Sequence, residues 1–296
     1  MTSTYIQKPY ISEFSAQANW GIAFGVFKQR IKQIMRYKGA LLVDMLSPML
    51  YSLLPILFGL AIAGNLEAAT EQFQGVGGTN ASDFILYMLV GSNMLLIING
   101  AIFNFGFFLR REQITGTLES LYLTPISQIY VLIGTAMYAI VRALINFLFS
   151  ITIAGLLFRV NIFQSIDSFV IAFLFLIIGM IPIYGLALGF GALVLKFKDM
   201  NSIQGIITMF LSMLMGAFFP ISVFPRILQY IAILIPATWQ DSGIKAALTG
   251  SSWLNGSLHS DLSILVVFAI LYPILGMITY LFTERSMRKT QGLGVF

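Results

Sequence analysis

Cysteine is absent from the 296 residues, so the chain has neither disulfides nor thiolate metal ligands. Histidine occurs once, at position 259, with no cysteine and no second imidazole to complete a zinc site. A single distant histidine also rules out a Ser-His-Asp set, and no G-x-S-x-G elbow is present. His259 reads as a solvated loop residue. The phosphate-binding pattern G-x-x-x-x-G-K-[ST] is missing, so the chain does not cradle ATP in the usual way. Charge is scarce: 10% of residues are Asp, Glu, Lys or Arg, against about 25% in an average soluble domain. These absences exclude thiol chemistry and ATP binding by the usual loop, and leave a zinc site or a Ser-His-Asp hydrolase without support.

What the chain has in quantity is apolar surface. Hydrophobic residues make up 58% of it, more than a soluble fold of this length has interior to hide, and lipid is the solvent that accepts the excess. A hydrocarbon core about 30 Å thick takes roughly 20 apolar residues per helix. Six such runs can be read, at 40–64, 84–108, 129–158, 168–195, 203–219 and 262–282. Pro48, Pro55 and Pro182 fall inside them, where neighbouring groups satisfy the freed carbonyls. The fold class expected is all-α: a polytopic membrane protein with six transmembrane helices. Residues 1–39 form a polar to amphipathic N-terminal segment without a signal-peptide layout, residues 40–282 the membrane domain, and residues 283–296 a basic tail. The first membrane helix is expected to be an uncleaved anchor.

The net charge of +5 suits a nucleic-acid partner only in a soluble protein; here the position of each cation matters more than the sum. Thirteen of the 17 Lys and Arg, among them Lys28, Arg30, Lys32, Arg36, Lys38, Arg110, Arg111, Lys196 and Lys198, fall on one set of loops. Arg159, Arg226 and Lys245 fall on the other, with Arg142 inside a span. Cytoplasmic loops carry the excess of Lys and Arg, so both termini are expected in the cytoplasm of a cell with this chain multi-pass in its inner (plasma) membrane. Asn80-Ala-Ser82 and Asn255-Gly-Ser257 fit the glycosylation pattern, which arises easily by chance. No nucleic-acid partner is expected.

Before the first span, Trp20, Phe24, Phe27, Ile31 and Ile34 recur at helical spacing, with basic residues on the remaining faces. Such a helix lies in the membrane interface, its cations near anionic head groups. It is either a passive anchor or an elbow that couples a partner's movement to the first span. Within the spans, Asp44 and Arg142 are costly. Asp44 stands near the start of its run and Arg142 near the middle of another, a difference in depth of more than about 10 Å at about 1.5 Å per residue. The two are therefore not expected to pair. Asp44 is expected to reach the interface, and Arg142 to face either a transport path or buried carbonyls. Asn93, Asn99, Asn104 and Asn146 need hydrogen-bond partners in lipid, by helix–helix bonding or by lining a path. Gly185 and Gly189 suggest close helix packing, and the phenylalanines are expected mostly to face lipid.

Between the second and third runs stands RREQITGTLESLYLTPIS, residues 110–127. Leu118, Leu121 and Tyr122 share a helical face and a Thr-Pro stop follows, so the residues alone describe either an ordinary loop helix or one that docks in a partner's groove. The segment resembles one found in ABC-2-type exporter permeases, with arginine, glutamate, Gly-Thr-Leu-Glu and Thr-Pro in order. A second match follows the fifth run: Gly216-Ala217-Phe218-Phe219-Pro220, Phe224-Pro225 and Ile235-Pro236-Ala237-Thr238-Trp239. It is similar to the family's proline-punctuated external region, where short helices dip back into the membrane before the last span. With the six-run layout, the resemblance covers nearly the whole chain.

The resemblance implies an ABC exporter in which two copies of this permease, or two related ones, bind two ATPase subunits. ATP and Mg would sit on the ATPase, with no cofactor, metal or catalytic residue on this chain. It further implies a coupling helix over 111–124, with Arg111, Glu112, Gly116, Thr117, Leu118, Glu119, Leu121 and Thr124 as ATPase contacts and Glu119 foremost. Lys196 and Asp199 would be a second contact; alternatively theirs is a charged loop that fixes topology. The substrate class implied is amphipathic or lipid-linked (drug, glycolipid or polysaccharide), exported by alternating access. The rival reading is a stand-alone secondary transporter or channel, for which Asp44 is the one intramembrane carboxylate and no inverted repeat is visible. A membrane-embedded lipid enzyme lacks a nucleophile or metal cluster.

Overall fold

Long apolar runs with few breakers fold as long helices, because a backbone in lipid must satisfy its own hydrogen bonds. The computed structural model describes residues 16–64, 68, 81–103, 107–108, 114–116, 128–158, 165–197 and 200–290, and among these there is no strand. In chain order the helices are α1 (Ala16–Arg36), α2 (Lys38–Ala63), α3 (Ala81–Ala101), α4 (Gln128–Phe158), α5 (Ile166–Phe197), α6 (Met200–Leu214), α7 (Arg226–Ile233), α8 (Pro236–Thr249) and α9 (Leu258–Thr290). Pro48 and Pro55 are accommodated within α2, Pro182 within α5 and Pro273 within α9. The Ser47 and Ser52 hydroxyls donate back to the Val43 and Met49 carbonyls of α2.

Among the described residues five helices are long and apolar enough to cross a membrane: α2, α3, α4, α5 and α9. The run expected to span at 203–219 is shorter as a helix. It stops at Leu214, Gly216 takes a φ of 82°, and the chain turns through Pro220 into a 3-10 turn at Ile221–Val223. At 15 residues, α6 is about 22 Å long, less than the roughly 30 Å of a hydrocarbon core. The two short helices α7 and α8 follow it before α9.

Burial ranks the helices. Within the protein, 78% of the α3 spanning window is buried, against 17% for α2 and 11% for α9, so α3 is the centre of the bundle and the other two form its rim. Phe107, Phe147 and Phe175 are fully buried, whereas Phe58, Phe210 and Phe282 point outward. The phenylalanines thus divide between core and periphery. Helices α5 and α9 approach until their backbones touch: a Cβ on Gly276 would lie 2.1 Å from the Gly185 carbonyl oxygen, and one on Gly185 2.4 Å from Pro273 N. Gly189 continues the same contact against Thr279, as the small-residue spacing predicts.

Helix α1 docks on the first turns of α4. A Cβ on Gly134 would stand 2.3 Å from the Ala23 carbonyl oxygen, and Trp20 meets Tyr130 edge to face at 6.0 Å. The docked face differs from the aromatic stripe expected of α1. Ala23 is fully buried and Phe27, Ile31 and Ile34 are half-buried, while Phe24 and much of Trp20 remain exposed. Small side chains, not large ones, permit the closest approach.

Candidate functional site

Two ion pairs sit among the apolar helices. The first joins α2 to α4. The Arg142 guanidinium donates from Nε to Asp44 Oδ2 and from a terminal nitrogen to Asp44 Oδ1, a bidentate fork. Asn146, one turn further along α4, donates through Nδ2 to Asp44 Oδ2 at 3.2 Å. The side chains of Arg142 and Asp44 keep 37% and 22% of their accessible surface. They form one wall of an open cleft of about 400 Å³, lined also by Ile34, Gly39, Ala40, Val43 and Ser47.

This pairing corrects the expectation that Asp44 and Arg142 lie at different depths. Counting from the ends of the two spans assumes that both begin at one level. They do not, because α1 docks beside Gly134, six residues into α4. The first turns of α4 thus run beside α1, and Arg142 stands only eight residues, about 12 Å, beyond that contact. The two charges therefore meet, and Asp44 is held by a guanidinium instead of reaching the interface unpartnered.

The second pair was not anticipated: Lys245 reads from sequence as an outer-loop cation. In the structure Lys245 Nζ lies 2.6 Å from Asp241 Oδ2, one turn apart on α8, with side chains only 3% and 2% exposed. The ammonium also donates to the carbonyls of Gly216 at 2.8 Å and Ala217 at 2.9 Å, and it stands 3.5 Å over the Tyr87 ring. The Tyr87 hydroxyl donates to the same Gly216 carbonyl at 3.0 Å. Among the described residues Asp241 Oδ1 has no hydrogen-bond partner. Burial pushes the Asp241 carboxyl up from its ordinary 3.8 to about 6, with Lys245 drawing it partly back. Burial also lowers Lys245, against the pull of Asp241. Together these groups clamp the end of α6 onto α3 and α8. The signal for the pair was present as the i, i+4 spacing of Asp241 and Lys245; its burial was not legible, because it depends on α8 lying inside the bundle. Gln240 of α8 donates to the Leu176 carbonyl of α5 at 2.7 Å, and Phe175 stacks on Trp253.

The other polar residues singled out divide as follows. Asn93 of α3 donates to Ser150 of α4 at 3.1 Å and to its own Leu89 carbonyl, buried between the helices. Asn99 donates to the Leu95 carbonyl of its own helix. Asn104 lies outside the described residues. So do Arg111, Glu112, Thr117, Leu118, Glu119, Leu121, Thr124 and Asp199. Gly116 is described: its φ is 72°, where a side chain is strained, although an added Cβ would meet nothing within 4 Å. Lys196 stands in the last turn of α5. Among the described residues no group of acidic residues and histidine could hold a metal ion.

A multi-pass helical bundle with charges paired inside its apolar body is the architecture of a polytopic membrane protein. The model of the family described as ABC-2 type transporter matches residues 24–249, more than half of the chain, and the chain belongs to that family. No curated protein sequence matches it.

Proposed function

We propose that this chain is the membrane-spanning permease of an ATP-driven exporter, working with an ATPase carried on a separate polypeptide. The observation that carries the reading is the family match over residues 24–249. The missing phosphate-binding loop supports a separate ATPase. In this reading two copies of the chain assemble with two ATPase subunits, which hold ATP and Mg, and both termini face the cytoplasm. Residues 111–124 form the coupling helix, with Glu119 the main polar contact, and Lys196 with Asp199 a second. α6 completes a sixth crossing together with the turn at 215–220, and α7 and α8 dip back into the membrane. The deep contact of Gln240 with Leu176, ten residues into α5, supports that placement. ATP-driven closure shifts the permease between inward- and outward-facing states, since a ligand shifts only an equilibrium whose two states it binds differently. The cargo is an amphipathic or lipid-linked molecule.

A lone ion-coupled carrier needs a carboxylate free to take up its ion. Asp44 is engaged by Arg142 and Asn146, which weighs against that alternative. Co-expression with an ABC ATPase tests the proposal. Glu119→Ala is expected to insert normally yet lose about tenfold in ATP-driven transport, the size of a typical coupling free energy, and to release the ATPase on purification. Normal transport removes Glu119 from the interface. Full transport by the isolated chain in vesicles refutes the reading as a whole.

A further inference from the structure

The coupling role leaves the cleft at Asp44 and Arg142 unused. We infer that this cleft binds the head group of an amphiphile carrying both a phosphate and a primary ammonium, admitted from the leaflet beside α1. Pairing supplies the first reason. A simple anion that takes Arg142 from Asp44 leaves a carboxylate without a counter-charge among apolar helices, and a simple cation leaves the guanidinium so. Breaking this half-exposed pair from one side is unfavourable, though less so than for a sealed pair. A zwitterion replaces both partners at once, phosphate to Arg142 and ammonium to Asp44, and leaves neither charge alone.

The donors and acceptors of the cleft fit the same ligand. Once a phosphate takes the place of Asp44, the Nε and terminal N–H groups that now serve the carboxylate meet two phosphate oxygens in the same forked geometry. Ser47 Oγ, whose proton goes to the Val43 carbonyl, keeps lone pairs for an ammonium beside Asp44. A quaternary ammonium offers no N–H to these acceptors, whereas a primary ammonium offers three. The cleft therefore favours a primary ammonium over a trimethylated one.

Access and size agree. About 400 Å³ holds roughly a dozen waters at about 30 Å³ each, room for a small head group. The small side of the cleft, Gly39 and Ala40, lies at the break between α1 and α2, and the exposed Arg36 and Lys38 flank it. From the cleft outward, Val43, Leu50, Leu54 and Leu57 form an exposed apolar stripe along α2, a track for an acyl chain. If the bound amphiphile is cargo, that part rests on the exporter reading; the binding does not.

The test is native mass spectrometry of the full chain, purified and exchanged into an equimolar mixture of phosphatidylethanolamine, phosphatidylcholine and phosphatidylglycerol. Wild type is expected to retain one phosphatidylethanolamine with a preference of about tenfold over either competitor, the scale of one charge-assisted contact. Asp44→Asn and Arg142→Gln should abolish the preference. Ala40→Phe, which fills the cleft and leaves the ion pair in place, should abolish it too, and it decides the matter if the charge variants do not fold. Excess soluble phosphoethanolamine should compete only weakly, because it lacks the acyl chain. Indifference of wild type to head group, preference for phosphatidylglycerol, or unchanged retention by Ala40→Phe overturns the inference. ATP-driven transport is measured separately, so transport without lipid preference sinks this inference alone. Lipid preference without ATPase-dependent transport sinks the exporter reading alone.

Discussion

The two ion pairs have the same ingredients and opposite surroundings. Lys245 and Asp241 are sealed, at 3% and 2% exposure, and the ammonium is saturated by two carbonyls, a carboxylate and an aromatic face. Arg142 and Asp44, at 37% and 22%, border an open cleft. A sealed pair with every proton spent can only hold helices together. A half-open pair within reach of a ligand can exchange partners. Position in the bundle, not residue chemistry, separates a clamp from a binding site.

The sharpest way to break the contrast is Lys245→Met. It leaves Asp241 buried without its partner and frees the Gly216 and Ala217 carbonyls, a loss of about 3–5 kcal/mol for a buried pair broken from one side. At about 2–4 °C per kcal/mol, the thermal unfolding midpoint in detergent, followed by tryptophan fluorescence, should fall by about 10 °C. A midpoint equal to wild type shows that the clamp holds nothing.

The next largest effect is on pH. The Asp241 carboxyl is raised to about 6 in the fold, so between its ordinary value and 6 the folded chain holds this proton more tightly than the unfolded one. Its contribution to stability is therefore fullest on the acid side of that window, declines as pH rises through 6, and is flat above. The wild-type midpoint minus that of Asp241→Asn should fall from pH 4 to pH 7 by the equivalent of about 2 kcal/mol. A constant difference removes Asp241 as the titrating group.

The smallest effect belongs to the open pair. Arg142→Gln should cost only about 1 kcal/mol, because partly exposed ion pairs are screened, and its midpoint should stay within a few degrees of wild type. A loss matching that of Lys245→Met makes both pairs structural and erases the distinction.

Hydropathy located the long helices well because lipid imposes one rule on every residue of a span. The run expected at 129–158 is α4 at Gln128–Phe158, and that at 262–282 lies within α9. The run at 203–219 was read as continuous because composition does not register the turn that Gly216 and Pro220 impose. The Asp44–Arg142 pair escaped notice for a non-local reason: the vertical offset of α2 and α4 is set where Ala23 meets Gly134, a contact 111 residues apart in sequence. Lys245 was placed with the outer-loop cations because charge-side counting assumes that cations sit outside the bundle. The docking of α8 on α5 defeats that assumption.

The contact between Ala23 and Gly134 has a mechanical consequence. α4 has no proline in it, and the place where α1 meets it backbone to backbone can serve as a pivot. On one side of that pivot are six residues back to Gln128, about 9 Å; on the other are eight residues to Arg142, about 12 Å. Sideways pressure on the short arm swings the long arm in the opposite direction by about a third more, a seesaw that would prise the guanidinium away from α2.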